Sequence, residues 1–313
     1  MPIKIPANSP AERILGEEGV ELIETEVALR QDIRPLRILL LNLMPIKIAT
    51  EVQIARLLSH TPMQVELGLL TTSSYTPHNT SREYLQTFYR TLDEVRDEHF
   101  DGLIVTGAPV ERLPFEAVEY WSELLDILAW AKTNVFRRLY LCWGAQAALW
   151  AQFGIEKLLF EEKLFGLYEQ EVLTPRHPVL RGFPDVFQVP VSRYSGVRRA
   201  DIQAHPELEL LIDSAESGPC MVGHRATGDL YMFNHLEYDT RTLHDEYQRD
   251  LDREAGIAPP RNYFADPDLS RPRPNVWRPL AYLLFSNWNY WLYEDTPHDL
   301  SILRQAQTKE PAA

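Results

Sequence analysis

Four apolar runs, each of strand length, alternate with segments of helical periodicity in the first half of the chain. The runs cover residues 36–43, 65–71, 101–109 and 136–142. The helical segments follow them at residues 49–61, with Thr50 as the expected N-cap, and at residues 81–100, 115–134 and 144–154. An apolar run without polar alternation is typical of a strand that is covered on both faces. Alternating strands and helices joined by short turns require right-handed crossovers. The sequence therefore predicts an α/β fold with a doubly wound, mostly parallel sheet.

The second half of the chain is less regular. Patterns typical of short strands occur at residues 186–194, 221–226 and 229–238, and helical periodicity occurs at residues 240–255 and 277–293. A proline-rich loop joins the two helical segments. No repeat or linker divides the chain. We therefore expect three parts, which are an N-terminal arm with one short helix (1–35), a single domain with a C-terminal helical extension (36–300) and a flexible tail (301–313).

The charge of the chain excludes some classes of partner. The 313 residues carry a formal net charge of −14, whereas proteins that bind nucleic acid or anionic membranes use a basic surface. No stretch approaches the roughly 20 apolar residues that cross a bilayer. The first residues contain acids and prolines where a secretory signal has an apolar core. Two cysteines cannot form a disulfide framework. We expect a cytoplasmic protein with small-molecule substrates and no metal-ligand cluster.

Cys142 stands where the fourth predicted strand meets the next helix, in "LCWGAQ". Such a turn brings a side chain to the carboxyl edge of the sheet. It also directs the first helical N–H groups at that side chain, which lowers the pKa of a thiol and can form an oxyanion hole. We therefore predict a reactive thiol, with the oxyanion turn at Trp143 and Gly144. The same pattern also fits an inert cysteine that fills a gap in the core.

A nucleophilic thiol needs a general base, and the base needs an orienting group. His235 and Glu237 are two residues apart in "NHLEYD", and on a strand such residues share a face. Glu237 could then fix the tautomer of His235. His235 alone would equally fit an ordinary loop histidine. His224 is a weaker candidate, and Cys220 is predicted to be structural. The remaining candidate histidines lie at predicted helix ends or loops, namely His60, His78 and His99.

Ordered motifs then indicate a family. Cys-x-Gly-x-Gln after a strand, with a distant His-x-Glu, resembles the class I glutamine amidotransferase-like proteins, which carry a Cys-His-Glu triad on a flavodoxin-like sheet. Further segments narrow the resemblance, in the order "LRILLLNLMP", "FDGLIVTGAP", "CWGAQAAL", "EKLFGLYE", "HLEYD", "NYF" and "NWNYWLYEDTPHDL". Together they are similar to the MetA family of homoserine O-acyltransferases over nearly the whole chain.

The resemblance implies ping-pong acyl transfer in methionine biosynthesis. Cys142 would take the acyl group from acyl-CoA as a thioester, His235 would deprotonate the acceptor hydroxyl, and Glu237 would orient His235. It also implies substrate-binding roles for four residues, Lys163, Ser192, Arg193 and Arg249. An arginine suits the carboxylate of an amino acid because it offers a bidentate fork. Without the resemblance, Lys163 and Arg249 would equally fit surface salt bridges. A homodimer is a further expectation.

The resemblance also implies that the acyl donor depends on the residue after Gly-Ala-Pro-x. The resemblance implies that glycine at this position goes with succinyl-CoA and glutamate with acetyl-CoA. This chain has Glu111, in "TGAPVE". A carboxylate beside the thioester fills the space of a succinyl tail and repels its terminal carboxylate. We therefore expect acetyl-CoA as co-substrate, with succinyl-CoA as the alternative and no permanently bound cofactor. A glutamate pointing to solvent would carry no such information.

Three positions depart from the family pattern. Val191 stands where the family usually has histidine, Gln170 stands where histidine is common, and Asn234 replaces the usual glycine before the catalytic histidine region. None of them belongs to the proposed triad. Val191 leaves open whether the acceptor is homoserine or another hydroxy amino acid such as serine.

Two other classes of function fit parts of the sequence. A glutamine amidotransferase or related amide hydrolase would share the fold and the triad, but no synthase domain is fused here and the C-terminal motif is similar to the acyltransferases. A non-enzymatic binding module could keep the fold, although it would need none of Cys142, His235 and Glu237. We expect homoserine O-acetyltransferase activity.

Overall fold

The computed structural model describes residues 3–5, 8–18, 20, 34–75, 80–252, 256–269 and 271–303. Its strands are β1 (Ile3–Lys4), β2 (Leu36–Leu41), β3 (Val65–Leu70), β4 (Phe100–Val105), β5 (Val135–Leu141), β6 (Leu158–Val172), β7 (Val186–Gly196), β8 (Leu208–Asp213), β9 (Met221–His224) and β10 (Leu230–Met232). Its α-helices are α1 (Pro10–Glu17), α2 (Lys47–Leu58), α3 (Arg82–Phe88), α4 (Leu92–Val95), α5 (Trp121–Asn134), α6 (Trp143–Phe153), α7 (Arg199–Gln203), α8 (Thr242–Leu251) and α9 (Arg278–Asp295). Short 3₁₀ turns occur at Phe115–Ala117, Pro178–Leu180 and Leu300–Ile302.

The ten described strands form one sheet in the order β1-β3-β2-β4-β5-β10-β9-β8-β6-β7. Neighbouring strands from β1 to β10 pair in parallel. The remaining strands, from β9 to β7, extend the sheet by antiparallel pairing. The order β3-β2-β4-β5-β10 is the flavodoxin-like arrangement, in which ligands bind at the carboxyl ends of the strands. The predicted fold class is confirmed, with an antiparallel extension that completes the sheet.

Alternate residues of β2 show why its sequence is apolar throughout. Ile38 and Leu40 pack into a cluster with residues of α2 and α9. Leu39 and Leu41 pack on the opposite face, into a cluster with residues of α5 and α6. All four side chains are fully buried. Helices therefore cover both faces of the central strands, and an alternating polar pattern would have placed polar groups in one of the two cores.

The predicted helix over residues 81–100 is wrong, because the chain forms two short helices there. Residues between α3 and α4 extend the sheet instead, since the N–H of Arg90 donates to Leu69 and its carbonyl accepts from Thr71, at 2.9 and 3.0 Å. Thr91 then starts a new helix by a capping box with Glu94. The capping residues therefore outweigh the continuous apolar periodicity.

The predicted N-cap at Thr50 is also wrong. The helix α2 begins at Lys47, and its N-cap, Ile46, makes no side-chain cap hydrogen bond. The side chain of Asn42 holds the preceding turn instead, because it accepts from the N–H of Met44 and donates to the carbonyl of Lys47, both at 3.1 Å. The helix predicted over residues 115–134, by contrast, begins later than predicted, at Trp121.

Other predicted elements are confirmed with shifted ends, including the C-terminal helices α8 and α9 and the end of α6 before Gly154. The longest strand, β6, is not predicted by the pattern. Its charged residues interrupt the alternation, and it is held by an irregular antiparallel pairing with β7. The short helix predicted in the N-terminal arm is α1. Most of the predicted flexible tail, residues 304–313, lies outside the described residues.

None of the described helices combines the length and the apolar character that a membrane crossing would need.

A buried ion pair joins β5 to the start of β10. The Nε and one terminal nitrogen of Arg138 donate to Asp229 Oδ2 at 2.9 and 2.5 Å, and the Arg138 N–H donates to Asp229 Oδ1 at 3.0 Å. Both side chains are buried. Removal of one partner of such a pair leaves an unpaired charge in the core. The free-energy cost of that charge is larger than the contribution of the intact pair to stability.

We expect Asp229→Ala to lower the free energy of unfolding by about 3–5 kcal/mol, because Arg138 would keep a buried charge without its carboxylate. Urea unfolding measures this change. Asp201→Ala is the matched control, since the Arg198–Asp201 pair is largely solvent-accessible and should contribute about 1 kcal/mol or less. Equal losses in the two variants would contradict the importance assigned to the buried pair.

Candidate active site

Cys142 occupies the turn between β5 and α6 in a strained conformation. Its φ is 48° and its ψ is −117°, values that a residue with a side chain rarely adopts. Its N–H donates to the carbonyl of Met232 at 2.7 Å, which fixes the turn to the end of β10. The side chain is only 4% exposed. The thiol is therefore held in one position at the carboxyl edge of the sheet.

Two glycines allow the turn after β4 to contact the turn that carries Cys142. A Cβ on Gly144 would lie 2.5 Å from the carbonyl oxygen of Thr106, and a Cβ on Gly107 would lie 3.1 Å from the Cβ of Cys142. Larger residues would push these turns apart. The close contact keeps the Gly-Ala-Pro segment, and with it the start of the Glu111 loop, against the thiol.

The N-terminus of α6 lies beside the thiol. The N–H groups of Ala145 and Gln146 donate to the carbonyl of Cys142 at 3.1 and 3.3 Å. The N–H groups of Trp143 and Gly144 belong to the first turn, which has no intrahelical acceptors. The indole of Trp143 is buried and packs against Phe115 and Tyr120, outside the site. The backbone N–H groups of Trp143 and Gly144 are therefore available to a ligand beside the thiol, and an oxyanion turn at these two residues stays a prediction.

His235 and Glu237 form a pair, although the geometry assumed for them is wrong. The strand β10 ends at Met232, so both residues lie in the turn beyond it and do not share a strand face. The turn is fixed by the His235 N–H, which donates to the carbonyl of Pro190 at 2.9 Å. Within it, Glu237 Oε1 lies 2.6 Å from His235 Nδ1. The carboxylate thus orients the ring, and the other ring nitrogen is left for the thiol.

The electrostatics of the pair favour proton transfer from the thiol to the imidazole. Burial raises the pKa of the Cys142 thiol, while the charge of His235 and a hydrogen bond from it act in the opposite direction. Burial by itself lowers the pKa of His235, but the Glu237 carboxylate and Cys142 outweigh it and raise that pKa well above its ordinary value. A strongly basic imidazole is the acceptor that a buried thiol needs.

Glu111 faces the thiol and not the solvent. Its Oε1 lies 3.8 Å from Cys142 Sγ, and its Oε2 accepts from the N–H of Tyr194 at 3.1 Å. The main chain of the loop is held by Lys157, whose amino group donates to the Glu111 carbonyl at 2.7 Å. Burial raises the pKa of the Glu111 carboxyl, and the Tyr194 N–H and the charge of Lys163 oppose that rise. The carboxyl is therefore a fixed wall beside the thiol.

A charged cluster lies close enough to Glu111 to interact with its carboxyl electrostatically. Lys163 Nζ is 2.7 Å from Asp250 Oδ2 and 3.7 Å from Glu246 Oε2. Ser192 Oγ donates to the same Glu246 oxygen at 2.5 Å. Arg249 donates from Nε to Asp250 Oδ1 at 2.8 Å. The structure therefore brings together three of the predicted substrate-binding residues, around two carboxylates. We call these five residues the acceptor cluster, after the substrate-binding role that the family resemblance implies for three of them.

Arg193 stands apart from the acceptor cluster. Its guanidinium is buried and donates to the carbonyls of Ser195 and Ser217 at 2.9 and 2.6 Å. Burial lowers the pKa of this guanidinium. Because its terminal nitrogens already serve backbone carbonyls, a bidentate contact with a substrate would require rearrangement. Its role in substrate binding stays a prediction.

Two of the departures from the family pattern contact each other behind the site. Asn234 donates to Gln170 Oε1 at 3.3 Å, and Gln170 in turn donates to Ser217 Oγ at 3.1 Å. Both side chains are buried. The third departure, Val191, is also buried, within the β6–β7 pairing. The two amides therefore form one internal hydrogen-bonded network.

Sequence reasoning missed Tyr238, Glu246 and Asp250. The two acids lie four residues apart on α8, with Arg249 beside Asp250, and i,i+4 spacing is the signal that places them on one face. Tyr238 follows directly in the "HLEYD" motif, and its ring stacks on that of His235 with centroids 4.2 Å apart. A pattern cannot show such a stack, because it depends on the path of the turn.

The other candidate residues have structural surroundings. His224 Nδ1 accepts from the N–H groups of Ala226 and Thr227, which closes a turn. The ring of His60 packs against that of Tyr282 at a tilt of 49°, and His78 lies outside the described residues. Burial raises the pKa of Cys220 to about 12. Within the described ranges, no group of three or more His, Cys, Asp or Glu side chains is arranged to hold a metal ion.

The chain is similar to known enzymes over almost its whole length. The family described as homoserine O-succinyltransferase matches residues 2–298. A homoserine O-acetyltransferase from Rhizorhabdus wittichii is 51% identical over 304 residues, which cover 97% of this chain and 94% of the relative. A protein of the same name from Acetivibrio thermocellus is 48% identical over 305 residues, which cover 97% of this chain and all of the relative.

Solved structures share the fold. A glutamine amidotransferase from Thermotoga maritima aligns with a TM-score of 0.57 and 15% identity, over 83% of this chain and 99% of that one. A glutamine amido transferase from Methylobacillus flagellatus aligns with a TM-score of 0.51 and 12% identity, over 86% and 99%. At such identities the likeness concerns the fold alone.

We expect iodoacetamide to modify Cys142 of the native protein in preference to Cys220, because the imidazole of His235 can take the Cys142 proton. His235→Asn should slow labelling of Cys142 at pH 7 roughly tenfold, the effect of about one lost pKa unit of thiolate stabilisation. Mass spectrometry of peptides over time measures both rates. His205→Asn is the control and should label as wild type. Equal labelling of the two cysteines in wild type would contradict the assignment of Cys142.

Proposed function

The chain belongs to the homoserine O-succinyltransferase family, and we propose that it transfers an acetyl group from acetyl-CoA to the hydroxyl of L-homoserine through a thioester on Cys142. The observation that carries this proposal is the convergence of a strained Cys142, the His235–Glu237 pair and the Glu111 carboxyl on one pocket. The reaction belongs to methionine biosynthesis, as the sequence motifs predict.

The first half-reaction acylates the enzyme. The Cys142 proton passes to His235, and the thiolate attacks the acyl carbonyl. The oxyanion that forms is stabilised by N–H groups at the N-terminus of α6, from Trp143 and Gly144. The bond between the carbonyl carbon and the CoA sulfur then breaks, and the CoA thiolate takes the proton from His235. Acetyl-Cys142 and free CoA are the products.

The second half-reaction returns the enzyme to its starting state. His235 takes the proton of the acceptor hydroxyl, which then attacks the thioester carbonyl. The same helical N–H groups stabilise the second oxyanion. The carbon–sulfur bond to Cys142 breaks, and the thiolate recovers a proton from His235. Glu237 keeps the ring in place through both halves because it holds Nδ1 at 2.6 Å.

Glu111 favours acetyl over succinyl as the transferred group. Its carboxyl lies 3.8 Å from Cys142 Sγ, where the tail of a longer acyl group would extend. An acetyl group has only a methyl beyond its carbonyl, whereas a succinyl group would bring a second carboxylate against this wall. Like charges at such a distance disfavour the wrong substrate. The relatives named homoserine O-acetyltransferase support the same choice.

The acceptor cluster suits an amino acid. Homoserine carries an ammonium and a carboxylate, and the cluster offers two cations, Lys163 and Arg249, beside two carboxylates, Glu246 and Asp250. The two cations and two carboxylates of the cluster balance each other. A bound zwitterion can therefore take the place of these internal partners without leaving a net buried charge. Serine would present the same two groups with a hydroxyl one carbon closer, so it remains the alternative acceptor.

Two expectations about the setting stay predictions. A cytoplasmic location is supported by the two cysteines, both of which are unpaired. A homodimer is expected from the family resemblance.

We expect purified protein to release free CoA from acetyl-CoA in the presence of homoserine, with a much lower rate for serine. Cys142→Ala should lower kcat by at least about 10³-fold, because the nucleophile acts as a unit with its base. Thiol titration measures CoA, and mass spectrometry detects the acetyl adduct. Cys220→Ala should retain activity. Undiminished turnover of Cys142→Ala would rule out the thioester mechanism.

Replacing Glu111 by glycine should raise kcat/KM for succinyl-CoA at least tenfold, since the substitution removes both the wall and its charge; tenfold corresponds to about 1.4 kcal/mol. The ratio of kcat/KM for the two donors is the measurement. Glu119→Gly, at an exposed position of the same connection, should leave the ratio unchanged. A wild-type preference for succinyl-CoA would show that this role of Glu111 is wrong.

A further inference from the structure

Glu237 alone does not fix the plane of the His235 ring. A single contact at Nδ1 still allows the ring to rotate about the line joining that nitrogen to the carboxylate. The ring of Tyr238 closes one face, with centroids 4.2 Å apart and planes inclined by 18°. Offset stacking of this kind contributes beyond the burial of area. The orientation of the general base therefore depends on two residues.

Tyr238 is itself held at both ends. Its carbonyl accepts from Trp277 Nε1 at 2.8 Å, and Trp277 is fully buried. Its hydroxyl donates to Glu246 Oε1 at 2.8 Å. Its ring is buried. A side chain fixed at the main chain and at the hydroxyl is a rigid support for the ring stacked on it.

Glu246 connects this support to the acceptor cluster. One carboxylate oxygen accepts from Tyr238, and the other accepts from Ser192 at 2.5 Å and lies 3.7 Å from Lys163 Nζ. A continuous path of contacts thus leads from the His235 ring through Tyr238 and Glu246 to the residues that surround the acceptor.

We propose that Tyr238 is a positioning residue for the general base, whose ring sets the plane of His235 and whose hydroxyl ties that plane to the acceptor cluster through Glu246. The proposal rests on the proposed function, in which His235 serves both half-reactions and the cluster serves only the second. The ring and the hydroxyl of Tyr238 therefore have separable effects.

The hydroxyl matters when the acceptor binds. Without it, Glu246 Oε1 loses its donor, and the carboxylate can turn towards Lys163, which lies 3.7 Å from the other oxygen. Lys163 would then be less available to the carboxylate of an amino acid. The ring matters in both half-reactions, because proton transfer from either the thiol or the acceptor needs a correctly placed imidazole.

Two variants separate these effects. Tyr238→Phe keeps the stack and removes the hydroxyl, whereas Tyr238→Leu removes both. Acylation is measured as the rate of CoA release in a single turnover with acetyl-CoA alone, and the second half-reaction as KM for homoserine and the rate of loss of acetyl-Cys142. Tyr231→Phe is the matched control, since its hydroxyl also donates to a single partner, Gln152, away from the site. Urea midpoints confirm that each variant is folded.

We expect Tyr238→Phe to acylate within about twofold of wild type and to raise KM for homoserine roughly tenfold, the effect of a lost hydrogen bond to a charged group. Tyr238→Leu should slow acylation at least tenfold. The rate of acylation should therefore be near the wild-type value with phenylalanine at position 238 and much lower with leucine. A purely structural role would lower the unfolding midpoint without this division between half-reactions.

The proposal is overturned if Tyr238→Phe raises KM for homoserine no more than Tyr231→Phe does, or if folded Tyr238→Leu acylates at the wild-type rate. A wild-type protein that releases no CoA from acetyl-CoA would overturn the proposed function, and the role of Tyr238 with it. An active wild type whose Tyr238 variants behave like the control overturns the role of Tyr238 alone.

Discussion

The parallel pairing of β5 with β10 is the constraint on which the site depends. The two strands are in register from Leu139 opposite Leu230 to Leu141 opposite Met232. The Cys142 N–H continues this ladder by donating to the Met232 carbonyl. Both strands therefore end at the same level, and the turns that follow them face each other. Cys142 and His235, the proposed nucleophile and base, come from distant parts of the chain and lie together because two strands end side by side.

The buried ion pair between Arg138 and Asp229 protects this register at the other end of the strands. It fixes the start of β10 against β5 with a charged side chain and a backbone N–H at once. The side chains of the site, at the opposite edge of the sheet, are therefore attached to strands whose relative position is fixed. A scaffold held by many interactions is typical of enzymes. It allows the site to keep a residue in a strained conformation, as Cys142 is here.

Most of the charged side chains that the site brings together are paired. Glu237 balances His235, and the acceptor cluster places two cations among two carboxylates. Only the Glu111 carboxyl faces the thiol without a full counter-charge, and burial raises its pKa accordingly. The chain is strongly acidic as a whole, with a net charge of −14. The acceptor cluster therefore concentrates two cations in a protein whose overall charge is negative.

The sequence by itself determined the parallel half of the sheet, because a strand buried on both faces must be apolar throughout, and this is visible without coordinates. It also predicted Cys142 as nucleophile, His235 as base and Glu237 as orienter, since a thiol nucleophile needs a base and an orienter of defined types, and the structure places Glu237 Oε1 2.6 Å from His235 Nδ1. It did not determine β6, whose charged residues are held by pairing with β7, nor the turn beyond β10 that joins His235 to Glu237. Only the tertiary structure placed Tyr238 on the His235 ring and Glu246 behind it. The physical reason is that residue types follow from chemistry and burial, whereas contacts across turns follow from how strands far apart in the chain end beside each other.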